Sequence, residues 1–131
     1  MKNIKKFMEK DQFAKHNGIE LLKVSDGAAT AKFQIQKEHL NGVGVVHGGA
    51  IFALADFVFA AASNSHGTIA LAINVSISYL KAARKGFLVA EATELSINPK
   101  LATYSVHITD ESDDLVAVFQ GMVYRKKDPI G

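Results

Sequence analysis

The sequence predicts an α+β domain in which a curved antiparallel sheet wraps one long central helix. Three observations carry this. From Gly48 to about Ser65 the chain is alanine-rich, long and unbroken, which favours helix over strand. Two strand-like stretches precede that segment and four follow it, with short turns between them. The helix is apolar nearly all round, and a sheet bent around it is the natural cover.

The elements follow in order. The first dozen residues read as a short amphipathic helix, with Ile4, Phe7 and Met8 on one side and lysines on the other. Residues 1–15 are expected as an N-terminal helix packed on the domain. "HNG" at 16–18 is a turn signal. "IELLKVSDG" (19–27) and "ATAKFQIQ" (29–36) alternate apolar and polar residues, and Asp26-Gly27 joins them as a hairpin. "KEHLNGVGVVHGG" (37–49) is a loop. After the helix come "TIALAINVSISYLKA" (68–82), "GFLVAEATELSIN" (86–98), "KLATYSVHITDE" (100–111) and "DLVAVFQGMVYRKK" (114–127). Gly86, Asn98-Pro99 and Asp113-Asp114 mark the turns. Consecutive strands with short turns predict an antiparallel meander.

Composition narrows the function classes. The 131 residues suit one domain spanning 1–131 and leave little room for a second core. There is no cysteine, hence no disulfide, thiolate metal site or cysteine nucleophile. That fits a cytoplasmic, reducing compartment. The charged N-terminus lacks the apolar stretch of a signal peptide. A net charge of +2 is too small to argue for nucleic acid. The basic excess sits in three short clusters, "KNIKKFMEK", "KAARKG" and "YRKK". The apolar run is no membrane span: Asp56 lies inside it, at a cost of roughly 2.5–3.5 kcal/mol near a span centre.

Several chemistries fail on spacing. "GVGVVH" places His47 where a dinucleotide fingerprint needs its third glycine, and no βαβ unit surrounds it. His39, His47 and Asp56 match no common metal pattern, so no metal is expected. No G-x-S-x-G elbow occurs.

Asp56 remains. On a helix its face neighbours are Phe52, Ala53, Phe59 and Ala60, and no lysine or arginine occurs between Lys37 and Lys81. A carboxylate in apolar surroundings is expensive unless it is paired or solvated. A catalytic carboxylate at the bottom of a pocket is the sharper reading, a solvated side chain at a gap in the sheet the blander one. Gly48 and Gly49 fall in the first helical turn, where backbone N–H groups lack intrahelical partners and the dipole is positive. Together they offer an oxyanion site. Gly48 and Asp56 lie about 12 Å apart along the axis, too far for one helix to supply both groups to one reacting centre. Two helices, antiparallel across a two-fold axis, would solve this.

The stretch "NGVGVVHGGAIFALADFVFAAASNSHG" (41–67), with "INVSISYLKAARKGFLVAEA" (73–92) and "VFQGMVYRKK" (118–127), resembles the hotdog-fold thioesterases, in the PaaI-like branch of the 4-hydroxybenzoyl-CoA thioesterase superfamily. The resemblance covers about residues 16–127. It implies a hotdog fold and an acyl-CoA thioesterase acting on an aryl- or medium-size acyl-CoA. It implies no cofactor, coenzyme A being part of the substrate. It also implies a homodimer with shared sites, paired into a homotetramer. By resemblance, Asp56 is the base or nucleophile, the Gly48 N–H binds the thioester oxygen, Asn41 orients water or thioester, and His47 is a polar support. The chain departs from the family at Ala82, where proline is frequent. Ser63, Ser65, Thr68 and Asn74 are all open as the group that assists the base. Lys81, Arg84 and Lys85 are candidate contacts for coenzyme A phosphates. Gly49, Phe52, Asn74 and Tyr79 complete the substrate-binding set. Rival readings are a non-hydrolytic acyl-CoA-binding hotdog module, a hotdog dehydratase using His47, and an interaction domain.

Overall fold

The computed structural model describes residues 2–131. Helix α1 spans Lys2–Met8 and α2 spans Gln12–His16. The N-terminal segment is therefore two short helices rather than one. Asp11 makes the break: its carboxylate accepts from the Ala14 N–H at 2.9 Å and starts a new helix. Strands β1 (Glu20–Ser25) and β2 (Ala28–Gln34) form the expected hairpin. A 3₁₀ turn covers Lys37–His39, the central helix α3 runs Gly48–Asn64, and four strands follow. These are β3 (Thr68–Tyr79), β4 (Phe87–Ile97), β5 (Leu101–Asp110) and β6 (Leu115–Pro129).

All six strands join one antiparallel sheet in the order β1-β2-β4-β5-β6-β3. The meander holds for β4, β5 and β6. It fails for β3, which pairs with β6 at the far edge, while β2 pairs with β4. Residues 80–86 carry the crossover. Both Leu80 and Lys81 donate their N–H to the Val116 carbonyl, at 2.8 and 3.2 Å. The Lys81 ammonium meets Asp110 at 2.7 Å and Asp114 at 2.6 Å, one carboxylate on either side of the β5–β6 turn. The chain is thus pinned across the end of that hairpin, and Ile35 N–H receives it at the Gly86 carbonyl, 2.8 Å away.

Helix α3 packs against all six strands of the sheet. Leu54, Val58 and Ala61 are fully buried against it. Its far end is tied down by polar bonds. Ser65 Oγ accepts from the Gly27 N–H at 2.8 Å, and Glu94 Oε1 accepts from Tyr104 OH at 2.6 Å and His66 Nε2 at 2.7 Å. Burial alone would raise the Glu94 carboxyl, but those two bonds, together with the charges of His66 and Arg125, outweigh it and hold it below the usual range. Among the described residues, no helix is long and apolar enough to cross a membrane.

One glycine sets how closely the sheet approaches the helix. A Cβ at Gly121 would lie 2.6 Å from Phe59 Cζ. That ring also packs against Tyr104 and Phe119, at centroid distances of 5.8 and 5.3 Å, so it has no room to yield. Gly121→Ala is expected to cost about 1–3 kcal/mol of stability, read as a lower urea midpoint.

The wrap around α3 is incomplete. Gly49 and Asp56 are exposed, and Phe52, Ala53 and Ala60 are half-buried. These five form a single stripe along the helix at three- and four-residue spacing.

Candidate active site

Everything near the start of α3 is positioned by the loop that precedes it. Asn41 Oδ1 accepts from the N–H groups of Val43 (3.0 Å) and Val45 (3.2 Å), closing a turn on itself. Its amide nitrogen has no partner among the described residues and is free to donate. Buried His39 anchors the loop from below. Its Nδ1 accepts from the Gln36 N–H at 2.9 Å, its Nε2 donates to the Asn17 carbonyl at 2.8 Å, and its ring stacks on Phe33. The His39 carbonyl then takes the His47 N–H at 2.7 Å.

His47 is the N-cap of α3. Its backbone is extended, with φ −60° and ψ 137°, and Nδ1 accepts from the Gly49 N–H at 2.7 Å. The acceptor role requires Nδ1 to be unprotonated. A Cβ at Gly49 would sit 2.9 Å from that nitrogen, so glycine is needed there. The two glycines therefore differ. The Gly49 donor is spent on the cap, whereas the Gly48 N–H has no partner among the described residues. Only one of the two first-turn donors is available to a ligand.

Tyr79 closes over the same spot. Its hydroxyl donates to the Gly48 carbonyl at 2.9 Å. A groove of about 400 Å³ opens here, lined by Val45, Gly48, Ile51, Tyr79, Leu80 and Lys81 among others. It joins three of the candidates read from the sequence: Gly48, Tyr79 and Lys81. Lys81 already faces two carboxylates, which hold its ammonium above the usual lysine range. Arg84 and Lys85 are exposed and make no ion pair among the described residues.

Asp56 stands apart from this groove, eight residues or about 12 Å further along α3. It is exposed on the protomer, and its carboxylate has no hydrogen bond or ion pair among the described residues. Its pKa is nonetheless raised, first by partial desolvation among its apolar neighbours and then by the negative charge of Asp11. The influence of Asp11 was not legible in the sequence, which placed that residue inside a single N-terminal helical segment. Phe52 lies between the two ends of the stripe, edge-on to Phe119 at 5.6 Å. Asn74 does not join the groove. It pairs with Met122, while neighbouring Val75 pairs with Gly121 on the helix face, so Asn74 points to the opposite face of the sheet. Ser63 and Ser65 bond to carbonyls of their own helix, at Ala60 and Ala62, far from Gly48.

A carboxylate on an open helix face, a free backbone donor at the helix start and a groove beside that donor suit acyl-group hydrolysis. The sequence pattern of the thioesterase superfamily matches residues 43–117, which include the second half of the loop, α3, β3, β4 and β5. The chain belongs to the thioesterase superfamily. Within that superfamily, it is 34% identical over 121 residues to the acyl-coenzyme A thioesterase PaaI of Escherichia coli, covering 89% of this chain and 84% of that one. The solved structure of the E. coli PaaI protein superposes with a TM-score of 0.94, over 98% of this chain and 94% of that one, at 31% identity. A relative from Archaeoglobus fulgidus that carries the name "Putative esterase" is 45% identical over 127 residues, 95% of this chain and 82% of that one. The fold of this thioesterase-superfamily chain is accordingly the hotdog fold of the PaaI-like branch.

Proposed function

We propose that this chain hydrolyses an aryl- or medium-size acyl-CoA to the free acid and coenzyme A, at a site shared between two copies of the chain. The observation that carries the reading is the uncovered stripe of α3. Gly49, Phe52, Ala53, Asp56 and Ala60 are open on the protomer, and glycine and alanine let a second helix approach closely. Lay two such helices antiparallel about a point between Phe52 and Ala53. Asp56 of one then lies opposite Gly49 of the other, beside its free Gly48 N–H. The 12 Å gap within one chain is closed by the second copy.

The sheet supports the same axis. Strand β3 is an edge strand of twelve residues with one side unpaired, and Leu71 and Ile73 on it are 51% and 55% exposed. A long apolar edge invites a partner strand. Two copies of β3 pairing antiparallel extend the sheet and cover both stripes.

The chemistry follows from the groups. The Gly48 N–H takes the thioester oxygen as it becomes an oxyanion. Ionised Asp56 of the other chain activates water or attacks the carbonyl carbon directly. The thiolate of coenzyme A leaves with little need of an acid. The free Asn41 amide can donate to the substrate. Exposed Arg84 and Lys85 can meet phosphates, with Lys81 shared between phosphate and its two carboxylates. His47 is committed to the helix cap through Nδ1, which weighs against the dehydratase reading.

A panel of aryl- and alkyl-CoAs with free-thiol detection tests this. Turnover is expected for aryl and medium-length acyl groups. Tight binding of acyl-CoA without release of thiol would favour the non-hydrolytic module instead.

A further inference from the structure

A second cavity, of about 240 Å³, lies beneath the N-terminal helices. Met8, Ala14, Ile19, Leu21 and Phe57 make its apolar wall, Asp11 stands on it, and two lysines and a glutamate complete it. Met8 and Ala14 on its wall are buried core residues, and the charged side chains stand at its more open side. Asp56 does not line the cavity, but the next residue on α3 does. Phe57 follows Asp56 on α3, and the Asp11 charge on the cavity wall reaches Asp56.

We propose that this cavity receives the acyl group of the thioester, so that α1 and α2 set acyl specificity. The inference rests on the shared-site thioesterase reading. In that arrangement the groove at Gly48 belongs to the copy that supplies the oxyanion donor, and the cavity to the copy that supplies the carboxylate. The reacting carbonyl lies between them. The coenzyme A arm then runs along the groove of one chain, and the acyl group enters the cavity of the other. The size is informative. About 150 Å³ already admits benzene, so about 240 Å³ leaves room for an aryl acyl group or an aliphatic chain of similar bulk.

Two variants push the cavity in opposite directions. Ala14→Leu fills it and Met8→Ala enlarges it. Specificity constants are measured for acetyl-, benzoyl- and octanoyl-CoA, and binding is measured calorimetrically for coenzyme A and its non-hydrolysable benzoyl and octanoyl thioether analogues. Ala14→Leu is expected to lower kcat/KM for benzoyl-CoA at least about 10-fold while changing acetyl-CoA less than about 2-fold. Met8→Ala should raise octanoyl-CoA relative to benzoyl-CoA. Equal shifts for all three substrates, or no shift in either folded variant, would overturn the assignment. If the wild type releases no thiol from any of them, the hydrolase reading fails, and the thioether analogues decide the cavity alone. A benzoyl analogue that binds tighter than coenzyme A in wild type, and loses that margin in Ala14→Leu, supports the chamber. Analogues that bind no tighter than coenzyme A contradict it.

Discussion

Asp56→Asn lowers kcat/KM by about 10²–10⁴-fold, the usual contribution of a positioned base, while the protein becomes more stable at neutral pH. The two effects have one cause. The folded chain holds the Asp56 carboxyl at a raised pKa, through desolvation and then the Asp11 charge, so its ionised form is less comfortable folded than unfolded. The sign follows. A raised carboxyl destabilises the fold fully above its folded pKa, and this cost fades as pH falls through the unfolded value. The melting-temperature gain of the variant should therefore be present at pH 7 and vanish below the ordinary aspartate range. In the wild type, the acid limb of kcat/KM should lie above that range. A variant equally active, or destabilised at every pH, would show that Asp56 is neither the base nor an unpaired charge. Loss of activity with a gain in stability is the mark of a residue kept for chemistry.

The second large effect isolates a single backbone hydrogen. Gly48→Pro removes the N–H at the first helical position, where proline is well tolerated, and His47 before it already has the extended backbone that proline demands. Gly48→Ala is the control. Its Cβ lies 3.2 Å from the Tyr79 hydroxyl and ring, a tight contact that proline shares, but it keeps the N–H. Proline should cost about 10²–10³-fold in kcat beyond alanine, with a similar melting temperature for both. If alanine and proline lose activity equally, crowding against Tyr79 explains the loss and the oxyanion role is gone.

Much of this was legible from residue pattern. The alanine-rich run gave α3, alternation gave the strands, and Asp26-Gly27 gave the hairpin, because each is a local preference. What the pattern left hidden is non-local. Nothing within β3 states that it pairs with β6 rather than β4; that is set by the long antiparallel register between Thr68–Tyr79 and residues 117–129, which brings together residues about forty to sixty positions apart. The break in the N-terminal helix at Asp11 needed only a cap, a local signal masked by the run of lysines and apolar residues around it. At the site, Asp56 and Gly48 stood out as a charge in an apolar run and a glycine at a helix start. That Gly49 spends its donor on His47 depends on a side-chain rotamer. That Asn74 faces away from α3 depends on strand register, and the bulge between Ala72 and Asn74 blurs any count along β3.

The most direct measurement mixes two inactive proteins. Asp56→Asn and Gly48→Pro chains are unfolded together, refolded at equal amounts and assayed against the best acyl-CoA of the panel. If each site takes its carboxylate from one chain and its N–H from the other, every mixed dimer holds one intact site. Half the dimers are mixed, so about a quarter of wild-type activity returns. Mixed dimers, verified by a mass tag on one chain, that remain as inactive as their parents would show that each chain carries its site alone.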